Sequence, residues 1–149
     1  MEKKQSLGLA NSQQPMVISM QQGKIPPQAL DLEEAVLGAM LIDKKGVDEV
    51  IDLLHPDAFY KIAHQNIFEA IYQLFQDSQP IDLLTVSAEL RKKGKLEIVG
   101  GEFYLVQLSQ RVASSAHIEF HARIILQKYI QRSLIRISNE IIESAYKES

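Results

Sequence analysis

From Ser114 to Ser149 the chain contains neither proline nor glycine, and this constrains its architecture more than any other feature. Nothing in the stretch interrupts a helix. Ser114 or Ser115 can cap one that runs to about Lys147. At the usual rise per residue such a helix is roughly 50 Å long. The folded chain before it has a radius of gyration of about 12 Å by the normal scaling, so its diameter is only about 30 Å. A helix of that length projects beyond its own head.

The apolar residues of this helix fall on two sides. Leu126, Ile130, Leu134, Ile137 and Ile141 form one stripe, flanked by Ile124, Ile135 and Ile142. A second stripe, Ile118, Ala122, Ile125 and Tyr129, lies on nearly the opposite side and continues as Arg132, Arg136 and Glu143. A helix packed on one head needs one apolar face. The pattern predicts that the head covers one side and another helix, from a partner subunit or from residues beyond Ser149, covers the other. The alternative is a single intramolecular core. Each buried Leu or Ile contributes about 1.5–3 kcal/mol, so a wet stripe is costly. Ile118, Ala122, Ile125, Tyr129, Leu126, Ile130, Leu134 and Ile137 are therefore the expected self-association or partner surface.

The preceding residues read as a small helical head, with boundaries 1–24 for a flexible tail, 25–112 for the head and 113–149 for the long helix. Residues 1–24 hold five glutamines, three serines and two glycines and show no sustained period. Pro26 and Pro27 halt the tail, and Asp31 with Glu34 has the spacing of a capping box. The first helix carries Ala35, Val36, Ala39 and Met40, broadened by Leu32, Leu37 and Leu41. Asp43 to Gly46 turn the chain, and Val47, Val50, Ile51 and Leu54 mark a short second helix ended by His55 and Pro56. Phe59 and Tyr60 read as loop anchors. Ile67, Phe68, Ile71, Leu74 and Phe75 define a third helix. Asp82 caps a fourth, closed by Arg91, Lys92, Lys93 and Gly94, and Gly100–Gly101 turn into a fifth bearing Phe103, Tyr104, Leu105 and Leu108. No segment alternates with period two, so the fold class is all-α, a head of about five or six helices followed by the long helix.

Composition narrows the function. Net charge is −3 with pI about 5.8, which argues against strong direct DNA binding through a basic footprint. Arg123, Lys128, Arg132 and Arg136 read as a solvated basic component of the long helix. There is no cysteine, excluding disulfides and thiolate metal sites and fitting a cytoplasmic protein. No apolar run reaches the roughly 18 residues that span a bilayer, and no apolar core follows Lys3 and Lys4 to make a signal peptide. Neither Gly23–Lys24 nor Gly94–Lys95 is followed by a hydroxyl residue, so no phosphate-binding loop is present. His117 and His121 share a helix face at a spacing that could ligate a metal, but no third ligand is evident and the motif of a zinc hydrolase is missing. His55 and His64 suggest no role. No catalytic, cofactor-binding or metal-binding residue is expected in this chain.

Several strings, in order, carry a resemblance: IPPQALDLEEAVLGAMLID from Ile25, DAFY at Asp57–Tyr60, NIF at Asn66–Phe68, PIDLLTV from Pro80, VGGEFYLVQLS from Val99, SSAHIEFHARIIL from Ser114 and SNEII from Ser138. Together they resemble the N-terminal domain of bacterial DnaB-type replicative DNA helicases, over about residues 25–146. The resemblance implies a helical head followed by a helical hairpin of which the long helix is the first arm. It further implies pairing of hairpins between subunits, a hexamer arranged as a trimer of dimers, docking of primase, and contacts with a helicase loader. In such proteins a linker and an ATP- and Mg-dependent motor follow; neither is expected within this chain, nor is the second hairpin arm. The competing readings are a stand-alone helical adaptor or dimerisation module, and a small metal-dependent hydrolase built on His117 and His121.

Overall fold

The computed structural model describes residues 24–111 and 116–147. Six α-helices occur among them: α1 Leu30–Ile42, α2 Lys44–Val50, α3 Ile62–Gln76, α4 Leu83–Lys92, α5 Gly101–Arg111 and α6 Ile118–Tyr146, with a 3-10 turn at Pro56–Ala58 between α2 and α3. No strand is present among the described residues, so the chain is all-α. No helix among them is long and apolar enough to cross a membrane.

The head is organised around α1. Every residue from Val36 to Leu41 is buried, and α1 packs against α2, α3, α4, α5 and α6. A helix that is apolar all round has to sit in the middle of its domain. Around it, Ile67, Phe68 and Ile71 of α3, Val86 and Leu90 of α4, and Leu105 and Leu108 of α5 complete one continuous core. Phe59 reaches in from the loop after the 3-10 turn and tilts against Phe68, ring centroids 5.1 Å apart.

The helix boundaries show where local chemistry ruled and where it did not. At α4, Asp82 accepts the Thr85 amide at 2.9 Å and Thr85 Oγ1 accepts the Asp82 amide at 2.9 Å, a reciprocal cap. Asp82→Ala removes an acceptor for an otherwise unpaired amide and is expected to cost about 1 kcal/mol, read as a lower urea midpoint with unchanged slope. Asp43, expected in a turn, instead caps α2 by accepting the Lys45 amide at 2.9 Å. The capping box expected at Asp31 and Glu34 does not form. Here α1 starts two residues earlier, at Leu30, with Ala29 in place of Asp31 at its N-cap and no side-chain cap. Glu34 is drawn away by tertiary partners, Arg111 and the Tyr104 hydroxyl. Gly94, Gly100 and Gly101 all have positive φ, which is why glycines occupy the turns before α5.

The serines expected to cap the long helix at 114 and 115 lie outside the described residues, as does the tail up to residue 23, but the N-cap position is corrected to His117, which makes no side-chain cap. The long helix itself is present: α6 has 29 residues, hence a length of about 43 Å. Its first half lies on α1, α2 and the 3-10 turn. The close approach is made at Gly46, where an added Cβ would stand 3.2 Å from both the Ala39 carbonyl oxygen and Ile118 Cδ1.

Candidate association surface on the long helix

The eight residues expected to form an interface separate into two groups. Ile118, Ala122 and Ile125 are almost fully buried within the chain's own core. Tyr129 and Leu126 are half-buried and packed against that core, Tyr129 meeting His55 edge-on with centroids 5.0 Å apart. The expectation that the Ile118–Tyr129 stripe is free for a partner is corrected: it is the face with which α6 holds the head, because i, i+4, i+7 and i+11 lie on one side of a helix. Ile130, Leu134 and Ile137 remain on the surface, 49%, 59% and 43% exposed, and Ile141 continues the row at 63%. These four side chains belong to one stripe by spacing. They lie on the part of α6 where the core cluster has no further members. Scattered apolar surface residues need no explanation; these four instead form a row along one helix.

Where the head ends, Arg132 meets it with polar bonds. Its two terminal nitrogens donate to the Pro27 carbonyl at 2.7 Å and the Ala58 carbonyl at 2.9 Å. One turn further out, Arg136 pairs with Glu140 at 3.1 Å, both largely exposed, a pair worth only a few tenths of a kcal/mol.

Within the head lies a polar network that sequence reading missed. Glu33 and His64 are buried. The His64 Nδ1 donates to Glu33 Oε1 at 2.7 Å, and the Tyr60 and Lys61 amides donate to the same carboxylate at 2.7 and 3.4 Å. On its other side His64 Nε2 meets the Tyr104 hydroxyl at 2.5 Å, with the two rings stacked. Burial, and then the Glu34 carboxylate, push the Tyr104 hydroxyl up to about 12, so it stays protonated and holds its place in the network. No buried side-chain nitrogen or oxygen among the described residues lacks a partner. The network joins α1, α3 and α5. The signal was available: Glu33 is in step with Val36, Leu37 and Met40, and His64 with Ile67, Phe68 and Ile71. A charged or titratable group on a buried stripe requires a buried partner.

His117 and His121 stand with ring centroids 6.5 Å apart. Among the described residues no group of three or more histidine or carboxylate side chains converges on a point that could hold a metal.

Comparison with known proteins gives one answer over most of the chain. The chain is 46% identical over 129 residues to the replicative DNA helicase DnaB of Rhodothermus marinus, covering 87% of this chain and 14% of that protein. It is 40% identical over 123 residues to the replicative DNA helicase DnaB of Geobacillus stearothermophilus, covering 83% of this chain and 27% of that protein. It thus spans well under a third of the length of these relatives. The structure superposes on the N-terminal domain of DnaB helicase from Mycobacterium tuberculosis with a TM-score of 0.79 at 37% identity, covering 82% of this chain and 87% of the other. It also matches the N-terminal domain of DnaB helicase from Helicobacter pylori, a structure described together with that domain's interactions with primase, with a TM-score of 0.67 at 26% identity, covering 78% and 91%. With residues 25–127 matched by the family model, the chain belongs to the DnaB-like helicase N-terminal domain family.

Proposed function

We propose that this chain is the collar and docking domain of a replicative DNA helicase: it pairs with copies of itself along α6, within a hexamer built as a trimer of dimers, and it receives primase during DNA replication. One observation supports this reading most, the row of Ile130, Leu134, Ile137 and Ile141 exposed on the outer part of α6. The names of the relatives place the family in replication, and the primase interactions described for the Helicobacter pylori domain support the docking role. Helicase loaders are further candidates for the same collar. ATP and Mg chemistry belongs, on this reading, to parts of the helicase outside the matched region. The present residues act by association and carry no hydrolytic step, and the net charge of −3 gives no general attraction for DNA.

Leu134→Asp places a carboxylate in the middle of the exposed row without touching the core. Self-association, followed by light scattering over a concentration series, is expected to weaken at least tenfold, equivalent to about 1.4 kcal/mol. Stability of the dilute chain is expected to change by less than about 0.5 kcal/mol. Binding of primase from the same organism is measured in parallel. Unchanged mass and unchanged primase affinity in this variant would refute the assignment.

A further inference from the structure

The apolar grip of the head on α6 ends at Tyr129. Three residues later a single side chain takes over. Arg132 spends one terminal nitrogen on the Pro27 carbonyl and the other on the Ala58 carbonyl, at 2.7 and 2.9 Å. Its guanidinium also lies 5.3 Å from the Tyr60 ring centroid and 5.9 Å from that of Tyr129. Pro27 belongs to the segment leading into α1, and Ala58 closes the 3-10 turn before α3. Arg132 therefore ties together three pieces of chain that are far apart in sequence. No carboxylate forms an ion pair with it among the described residues; burial draws it below the usual arginine range. Two carbonyls and two aromatic faces replace the water it gave up.

The far side of the same loop is held as well. Glu33 accepts the Tyr60 and Lys61 amides, so the short stretch from Ala58 to Lys61 is fixed from the head's core by a carboxylate and from the arm by a guanidinium. Apolar contacts between helices resist separation but carry little directional preference, whereas a planar fork bonded to two fixed carbonyls sets an angle. From Arg132 to Tyr146 the arm extends about 21 Å, so a tilt of about 10° at this point carries its tip about 4 Å. That displacement is enough to misalign side-chain rows across a helical interface.

We propose that Arg132 is a positioning residue, a clasp that sets the angle at which the arm leaves the head and thereby the direction in which the exposed row is presented. The consequence for partner alignment rests on the association role given above; the clasp itself does not. The requirement is for arginine in particular. A lysine ammonium has three rotatable donors on one nitrogen and no planar fork, so it cannot hold both carbonyls in that fixed geometry.

The chain has no cysteine, so Lys92→Cys on the head and Ser144→Cys on the arm accept two spin labels without interference. Dipolar distances are measured in an excess of unlabelled chain, which makes them intramolecular whether or not the chains associate. The native chain is expected to give one narrow distribution. Arg132→Ala and Arg132→Lys are each expected to at least double its width below the melting transition. A native width in Arg132→Ala overturns the clasp. A native width in Arg132→Lys overturns the need for two carbonyl bonds and with it the proposal. Arg132→Lys also keeps the charge and most of the stem, so it carries the test even if the alanine variant folds poorly. Because the measurement is intramolecular, its failure is distinct from a failure of Leu134→Asp to change the association state.

Discussion

Glu33→Ala is expected to lower the unfolding free energy by about 3 kcal/mol or more, the largest effect of any single polar substitution in this head. The carboxylate is buried and serves three donors at once: His64 Nδ1 and the amides of Tyr60 and Lys61. Removing it leaves all three without their acceptor, His64 in the buried core and the two amides at its part-buried edge. Each orphaned donor costs about 1–3 kcal/mol, partly recovered if the loop relaxes towards solvent. Domains of this size are stable by only about 5–15 kcal/mol, so the loss is a large fraction of the whole. Glu33→Gln keeps one acceptor oxygen but turns an amide NH2 towards donors, and is expected to fall between the native chain and the alanine variant. Urea unfolding followed by far-ultraviolet circular dichroism measures both. A loss below about 1 kcal/mol for Glu33→Ala would show that the network contributes little and that the loop is held by Phe59 and Arg132 alone.

Ile125→Ala is expected to cost about 2–5 kcal/mol, as for other buried Ile truncations, whereas Leu134→Ala on the same helix is expected to cost less than about 0.5 kcal/mol in the dilute chain. Ile125 is almost fully enclosed and Leu134 is mostly exposed; the two differ in position along one helix, not in chemistry. The contrast has a practical consequence. Ile125→Asp would place a carboxylate in the head's core, so a loss of partner binding in that variant reports unfolding rather than an interface. Urea midpoints of the two alanine variants, measured where the chain does not associate, decide the matter. Similar losses at the two positions would mean that the outer half of α6 is sheltered by its own chain after all.

Much of the fold was legible because it is written in local pattern. The periodic runs Ile67–Phe68–Ile71–Leu74 and Val86–Leu90 are core, and Asp82 caps α4 with Thr85 as its reciprocal partner. Asp31 and Glu34 show the limit of that kind of reading. Their spacing suits a capping box, but Glu34 found Arg111 and Tyr104 across the head, and α1 began two residues earlier without a side-chain cap. A local hydrogen bond worth about 1 kcal/mol yields to a part-buried network that satisfies several groups together. The same holds for His64, which looked idle in the sequence and is fully enclosed in the fold.

By itself the sequence determined that this protein is all-helical, that a long uninterrupted helix closes the described chain, and that this helix has more apolar surface than one face requires. Periodicity and the absence of helix breakers decide those points because they act within a few residues. Only the tertiary structure decided which stripe the head takes. Ile118, Ala122 and Ile125 went inward and Ile130, Leu134 and Ile137 stayed outside, although both rows are equally apolar on paper. The choice depends on where α1, α2 and the 3-10 turn stand when α6 arrives, and on Arg132 finding two carbonyls at the head's edge. Those are contacts between segments far apart in the chain, and no property of the helix alone specifies them.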